Sequence, residues 1–188
     1  MGYLEQFPEI LKNFDFRPIP FQLYHADKHQ KELQTIEFSS YEFILIAFSL
    51  MSVQIPLFKD FIQNKSNSLL KFHPRISFIV GGPHASANPE YFAKLGVHFI
   101  IPGEGEIALK NLLTALISQY PSEIKISNLI GVYRGYPRYQ KGELAPIVEL
   151  GAAPPYSEEF SLFGPIEISR GCPFQCKFCQ TGNSTNYM

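Results

Sequence analysis

Ile76-Ser77-Phe78-Ile79-Val80-Gly81-Gly82-Pro83-His84 decides the fold of this chain. The apolar run Ile76–Val80 reads as a strand buried on both faces, stopped by a Gly-Gly-Pro turn. Upstream, Glu42 to Phe48 (EFILIAF) has the same character, a continuous apolar run of strand length. Downstream, Val97 to Ile101 (VHFII) repeats it. Between them the pattern turns helical, over Gln54 to Phe72 with Pro56 in its first turn and over Pro89 to Leu95. A further helix is expected from Ile107 to Gln119. Buried strands alternating with helices imply an α/β fold with a parallel sheet covered on both faces. Ligands of such sheets lie beyond the carboxyl ends of the strands. Here those ends are Ser49-Leu50-Met51-Ser52, Gly81-Gly82-Pro83-His84 and Gly103-Glu104-Gly105-Glu106.

Outside this region, residues 3–14 read as a helix with Leu4, Phe7 and Leu11 on one face, and Ile19 to His25 as a strand. After Gln119 the pattern changes. Asn128 to Arg134 and Leu144 to Val148 suggest a hairpin around Gly142. Glu149 to Gly164 is rich in Pro, Gly and Ala and reads as a linker. Pro165 to Ser169 is a short strand, and the last eight residues are polar and unpatterned.

The chain has 188 residues, 45% of them hydrophobic, which is material for one sizeable core. The net charge of −1 leaves no basic surplus to hold nucleic acid or an anionic membrane. The N-terminus lacks an apolar signal region, and the longest apolar run, Phe43 to Val53, falls short of the roughly 20 residues that span a bilayer. A soluble, cytoplasmic protein is expected.

All three cysteines fall within eight residues. An odd, clustered set makes a poor disulfide framework and a good metal or cluster site. The segment Arg170-Gly171-Cys172-Pro173-Phe174-Gln175-Cys176-Lys177-Phe178-Cys179 has the spacing C-x3-C-x2-C. Thiolates hold iron–sulfur clusters, and three on a compact loop reach three corners of a cubane, leaving the fourth iron open. Gly171 and Pro173 help the chain bend, while Phe174 and Phe178 are expected to shield the cluster from water. Zinc on three cysteines and one histidine is the alternative, but His25, His29, His73, His84 and His98 are all distant in sequence.

This cysteine motif, with an aromatic residue before the last Cys, resembles the signature of radical S-adenosylmethionine proteins. The preceding Pro165-Ile166-Glu167-Ile168-Ser169 is similar to the first strand of that family's barrel. The resemblance implies a [4Fe–4S] cluster on Cys172, Cys176 and Cys179, S-adenosylmethionine on the open iron with Phe178 beside it, and one-electron cleavage to an adenosyl radical. Residues 1–120 resemble the cobalamin-binding, flavodoxin-like domain that precedes the barrel in one large group of the family. The matching pieces are Ala47 to Ser52, Phe78 to His84 and Gly103 to Glu106. They imply a cobalamin site on Ser49, Ser52, Gly81, Gly82, His84, Gly103 and Glu104, with the glycines admitting a flat ligand and the hydroxyls bonding it. The family's D-x-H-x-x-G motif is not reproduced. Its nearest counterpart, Asp27 to Glu32, ends in Glu instead of Gly and reads as a polar loop, so cobalt would receive no histidine from it.

The other readings of these positions are blander. Glu104 and Glu106 also suit a helix N-terminus, and Gly103 to Ala108 spells a dinucleotide-like G-x-G-x-x-A, though after the last strand and with two acids facing any pyrophosphate. A full barrel takes about 250 residues. The expected organisation is therefore residues 1–120 as the cobalamin-binding-like domain, 121–164 as hairpin and linker, and 165–188 as the start of an incomplete radical barrel. Three functions follow. One is a truncated or split enzyme of radical or methyl-transfer chemistry, inactive unless a second chain supplies the barrel. Another is a non-catalytic module binding a corrinoid or other small ligand. The last is a relic that binds neither cofactor.

Overall fold

In a computed structural model, the protein is described at residues 1–19, 35–65, 76–118, 129–131, 149–152, 154, 156–163, 171–174 and 176–179. It divides into two compact units. One comprises Met1–Phe16, Gly103–Asn128 and Lys141–Met188, and the other Arg17–Pro102 and Leu129–Gln140.

The second unit is built on a sheet. Strand β1 (Ile44–Ser49) runs parallel to β2 (Ile76–Gly81), in register from Ile44 against Ile76 to Ser49 against Gly81. Strand β3 (Phe99–Ile100) continues the parallel set, and β4 (Ile130–Gly131) joins it antiparallel, giving the order β1-β2-β3-β4. Alternate side chains of a strand point to opposite faces. On β2, Ile76, Phe78 and Val80 enter one core, and Ile79 on the other face is buried as well. Strand β2 is thus buried on both faces, as its sequence predicts. Strand β1 departs from that expectation. Ile44, Ile46 and Phe48 pack on the core half-buried, with Phe48 edge-on to Phe58 and Phe61 at 5.0 and 5.4 Å, but Ala47 and Ser49 on the opposite face are exposed.

Strand β3 is shorter than the expected Val97–Ile101. Backbone bonds from His98 N to Phe78 O (3.0 Å) and from Ile101 N to Val80 O (2.8 Å) extend its pairing. However, the Phe78 N–H donates to His98 Nδ1 at 3.0 Å, so an imidazole stands where a strand carbonyl would be.

Helices of this unit are short. A 3-10 turn (Ser52–Gln54) leads into α2 (Ile55–Asp60; Pro8–Asn13, α1, lies in the other unit), and a wider π-type turn follows over Phe61–Lys65. A single regular helix from Gln54 is therefore not observed, and residues 66–72 of it lie outside the described residues. After β2 come α3 (Pro83–Ala87), which the sequence does not predict, and α4 (Pro89–Lys94). Both open on proline, whose fixed φ and missing N–H suit a first helical position. Pro89 also explains the break, because a residue before proline avoids the helical region, and Asn88 sits at φ −143° and ψ 68°. The Asn88 side chain caps α4 by accepting from Tyr91 N at 3.3 Å. The core joins Leu50, Phe58, Phe78, Val80, Phe92 and Ile100, with Phe58 and Phe92 edge-to-face at 5.6 Å.

In the first unit a 3-10 turn (Leu4–Gln6) precedes α1 (Pro8–Asn13), and α5 spans Glu106–Ile117. The expected helix over residues 3–14 is interrupted at Phe7, which leaves the helical region at φ −119° and ψ 88° ahead of Pro8. Leu4 and Ile10 are buried, whereas Phe7 and Leu11 are half-buried. The Lys110 ammonium lies 5.1 Å from the Phe7 ring centre. The expected linker is partly ordered into a 3-10 turn (Leu150–Ala152) and an antiparallel ribbon of β5 (Tyr156–Ser157) and β6 (Leu162–Phe163). The N-terminal segment ties to it, with Gln6 Nε2 donating to Ala152 O at 2.6 Å and the Ser157 hydroxyl donating to the Glu5 carboxylate. The predicted strands Ile19–His25 and Pro165–Ser169, the Asp27–Glu32 loop, Leu144–Val148 and the polar tail lie outside the described residues, apart from Ile19. Among the described residues no helix is long and apolar enough to cross a membrane.

Candidate functional site

The carboxyl ends of β1 and β2 are laced together. Leu50 N donates to Gly81 O at 3.0 Å, and His84 N donates back to Leu50 O at 3.2 Å. Gly82 makes this approach possible. It sits at φ +92°, and a Cβ there would lie 2.7 Å from Leu50 N and 2.9 Å from Leu50 O. The close passage of the two loops therefore itself requires a glycine here. At Gly81 a Cβ would meet only Ile101 O, at 3.6 Å.

Leu50 is fully buried and anchors the β1 loop to the core. The residues around it turn outward, for Ser49, Met51, Ser52 and Val53 are all exposed, Met51 at 61% and Val53 at 67%. The backbone of Met51 donates to Gln54 Oε1 at 2.8 Å, which holds the turn. Ser52 Oγ lies 2.9 Å from His84 Nδ1. The His84 ring is half-buried and meets Tyr91 and Phe92 edge-on at 6.2 and 5.7 Å. Five of the expected residues, Ser49, Ser52, Gly81, Gly82 and His84, thus share one small surface. It combines hydroxyls, an imidazole and two exposed apolar side chains, the mixture of apolar lining and few polar groups that small-molecule sites use. Met51 and Val53 are absent from the set expected from sequence. Only their place after an apolar strand hints at them.

Gly103 and Glu104 fall in the first unit. Gly103 turns at φ +75° and is exposed, and Glu104 is half-buried ahead of α5.

The cysteine loop also belongs to the first unit. Gly171 sits at φ +80°, and Cys179 N donates to Cys176 O at 2.9 Å, closing a turn across the last two cysteines. Cys172 and Cys179 are half-buried, Cys176 is exposed, and all three are free of disulfides. No three His, Cys, Asp or Glu side chains among the described residues are grouped as a metal site. Phe174 and Phe178 are 69% and 94% exposed. The donor set suits a cluster in kind, with three thiols on one short loop, and binding would have to draw them together.

Comparison with known proteins gives this geometry a context. Residues 21–113 match the model of the B12 binding domain. A 2-(S-pantetheinyl)-carbapenam-3-carboxylate methyltransferase of Streptantibioticus cattleyicolor is 26% identical over 129 residues, 60% of this chain and 19% of its own length. The cobalamin-dependent radical SAM methyltransferase TokK of Streptomyces tokunonensis is 27% identical over a stretch of the same extent, again 19% of its length. The chain therefore spans about a fifth of these relatives. In fold it resembles the cobalamin-dependent S-adenosylmethionine radical enzyme OxsB in its aqua-cobalamin complex, with a TM-score of 0.62 at 20% identity, over 82% of this chain and 22% of that one. The parallel strands β1 to β3 thus lie within the stretch that matches the B12 binding domain model, and the chain is similar in sequence to part of two methyltransferases, TokK among them.

Proposed function

We propose that the exposed surface at the carboxyl ends of β1 and β2 binds cobalamin, through Ser49, Met51, Ser52, Val53, Gly81, Gly82 and His84. The observation that carries this is the pairing of exposed Met51 and Val53 with Ser49 and Ser52 at a strand end held rigid by the Leu50–Gly82 contact. A macrocycle with an apolar face and a polar rim needs that combination. On the cysteine loop we place a [4Fe–4S] cluster held by Cys172, Cys176 and Cys179, with S-adenosylmethionine beside Phe178. When bound, these groups would supply methyl-transfer and radical chemistry. The chain's own part is to hold and orient them, and turnover is proposed to need the remaining barrel strands, from a second chain if not from this one. Three thiols outside any disulfide suit a reducing, cytoplasmic setting.

Titration with hydroxocobalamin followed by desalting tests the first assignment. Retained corrinoid with a shifted visible spectrum is expected, and complete loss on desalting would overturn it. Anaerobic reconstitution with iron and sulfide tests the second. A broad absorbance near about 400 nm is expected from thiolate and sulfide ligation, and it should vanish in the triple variant C172S/C176S/C179S. An unchanged spectrum in that variant would sink the cluster. A second reading, a corrinoid-binding module without catalysis, draws on the family match confined to residues 21–113. It predicts cobalamin retention with no 5′-deoxyadenosine formed from S-adenosylmethionine and a reductant, even with a reconstituted cluster.

A further inference from the structure

We propose that the Ser52 hydroxyl recognises a side-chain carboxamide on the rim of the corrin, and that His84 is the positioning residue that sets the direction of that hydroxyl. This rests on the cobalamin reading above and adds a chemical division of labour to it.

The ring of His84 is half-buried and packed against neighbours of its own unit. Its backbone N–H is committed to Leu50 O at 3.2 Å, and its edges meet Tyr91 and the fully buried Phe92. Ser52, by contrast, begins an exposed 3-10 turn, and Oγ at 2.9 Å from His84 Nδ1 ties its side chain to that packed ring. A free serine hydroxyl rotates to suit any partner. Tied to an imidazole, it has one of its bonding directions assigned. If Nδ1 accepts, the serine proton points inward and its lone pairs face outward. If Nδ1 carries the proton, the serine accepts it and turns its own O–H outward. A primary carboxamide offers both an acceptor oxygen and donor N–H groups, so either tautomer provides a match. A carboxylate offers acceptors only and suits one of the two. Exposed Met51 and Val53 on either side of Ser52 would meet apolar ring surface next to that amide.

The geometry also specifies which substitution preserves the pair. The amide of asparagine reaches the place of Nδ1, while that of glutamine reaches the place of Nε2. The test compares wild type, S52A, H84N, H84Q and S52A/H84Q by equilibrium titration with hydroxocobalamin, and with cobinamide against cobyrinic acid, which carries carboxylates in place of carboxamides. Melting is measured for every variant. Losing one hydrogen bond should weaken binding by about tenfold in S52A and in H84Q. H84N should stay within about threefold of wild type, and the double variant should bind no more weakly than S52A alone. Wild type should favour cobinamide over cobyrinic acid, and S52A should narrow that preference. Equal losses in H84N and H84Q, additive losses in the double variant, or affinities that fall only in step with melting would overturn the inference while leaving cobalamin binding intact. Failure of the wild-type protein to retain hydroxocobalamin would overturn both.

Discussion

Gly82 shows how much a single residue can hold in place. Its φ of +92° is open to glycine and costly for others, and Leu50 backbone atoms fill the space a side chain would take. Strain at such a position costs roughly 1–3 kcal/mol before any overlap is counted. G82A should therefore lower stability by at least about 2 kcal/mol in urea unfolding. G81A, one residue earlier, should change it by less than about 1 kcal/mol, because Ile101 O lies at ordinary contact distance and the backbone there needs no positive φ. Equal effects would show that loop approach is not what selects Gly82. The Gly-Gly pair was visible in the sequence as a strand end. Which of the two is obligatory was not, since that depends on a backbone segment some thirty residues upstream.

At the scale of elements, short local signals decided more than long periodic ones. Proline at the first helical position and asparagine before it account for both ends of the α3–α4 break. Removing the cap in N88A should cost about 0.5–1 kcal/mol, read from the shift in the unfolding midpoint. The pairing of β2 with β3 is completed by a side chain, because His98 Nδ1 takes the Phe78 N–H. In H98L that donor loses its partner, and a loss of about 1–3 kcal/mol is expected, with faster amide exchange at Phe78 as the specific sign. H98N should recover part of it. In the sequence His98 stands within an apolar run, and nothing local indicates that its ring replaces a carbonyl. The helix expected to start at Gln54 was legible in position but not in form, because the packing of Phe58, Phe61 and Ile62 against the sheet sets its turns.

For the molecule as a whole, a ligand that binds only the folded chain must stabilise it. At a free hydroxocobalamin concentration of 100 times Kd the gain is about 2.7 kcal/mol. Unfolding monitored by circular dichroism should shift upward accordingly, and F58A, expected to cost roughly 3–5 kcal/mol by emptying the aromatic core, should be partly rescued by the ligand. A melting point insensitive to hydroxocobalamin would count against the site. The sequence by itself determined β1, β2 and β3, the helix at Pro89 and the cysteine spacing, because apolar runs, proline geometry and ligand count act over a few neighbouring residues. Only the tertiary structure decided that β4 pairs antiparallel with β3, that Leu50 passes against Gly82, that Ser52 meets His84 across 32 positions, and that Phe178 faces solvent. Each of these is a choice among distant partners, and burial and backbone hydrogen bonding make that choice only when the whole sheet has assembled.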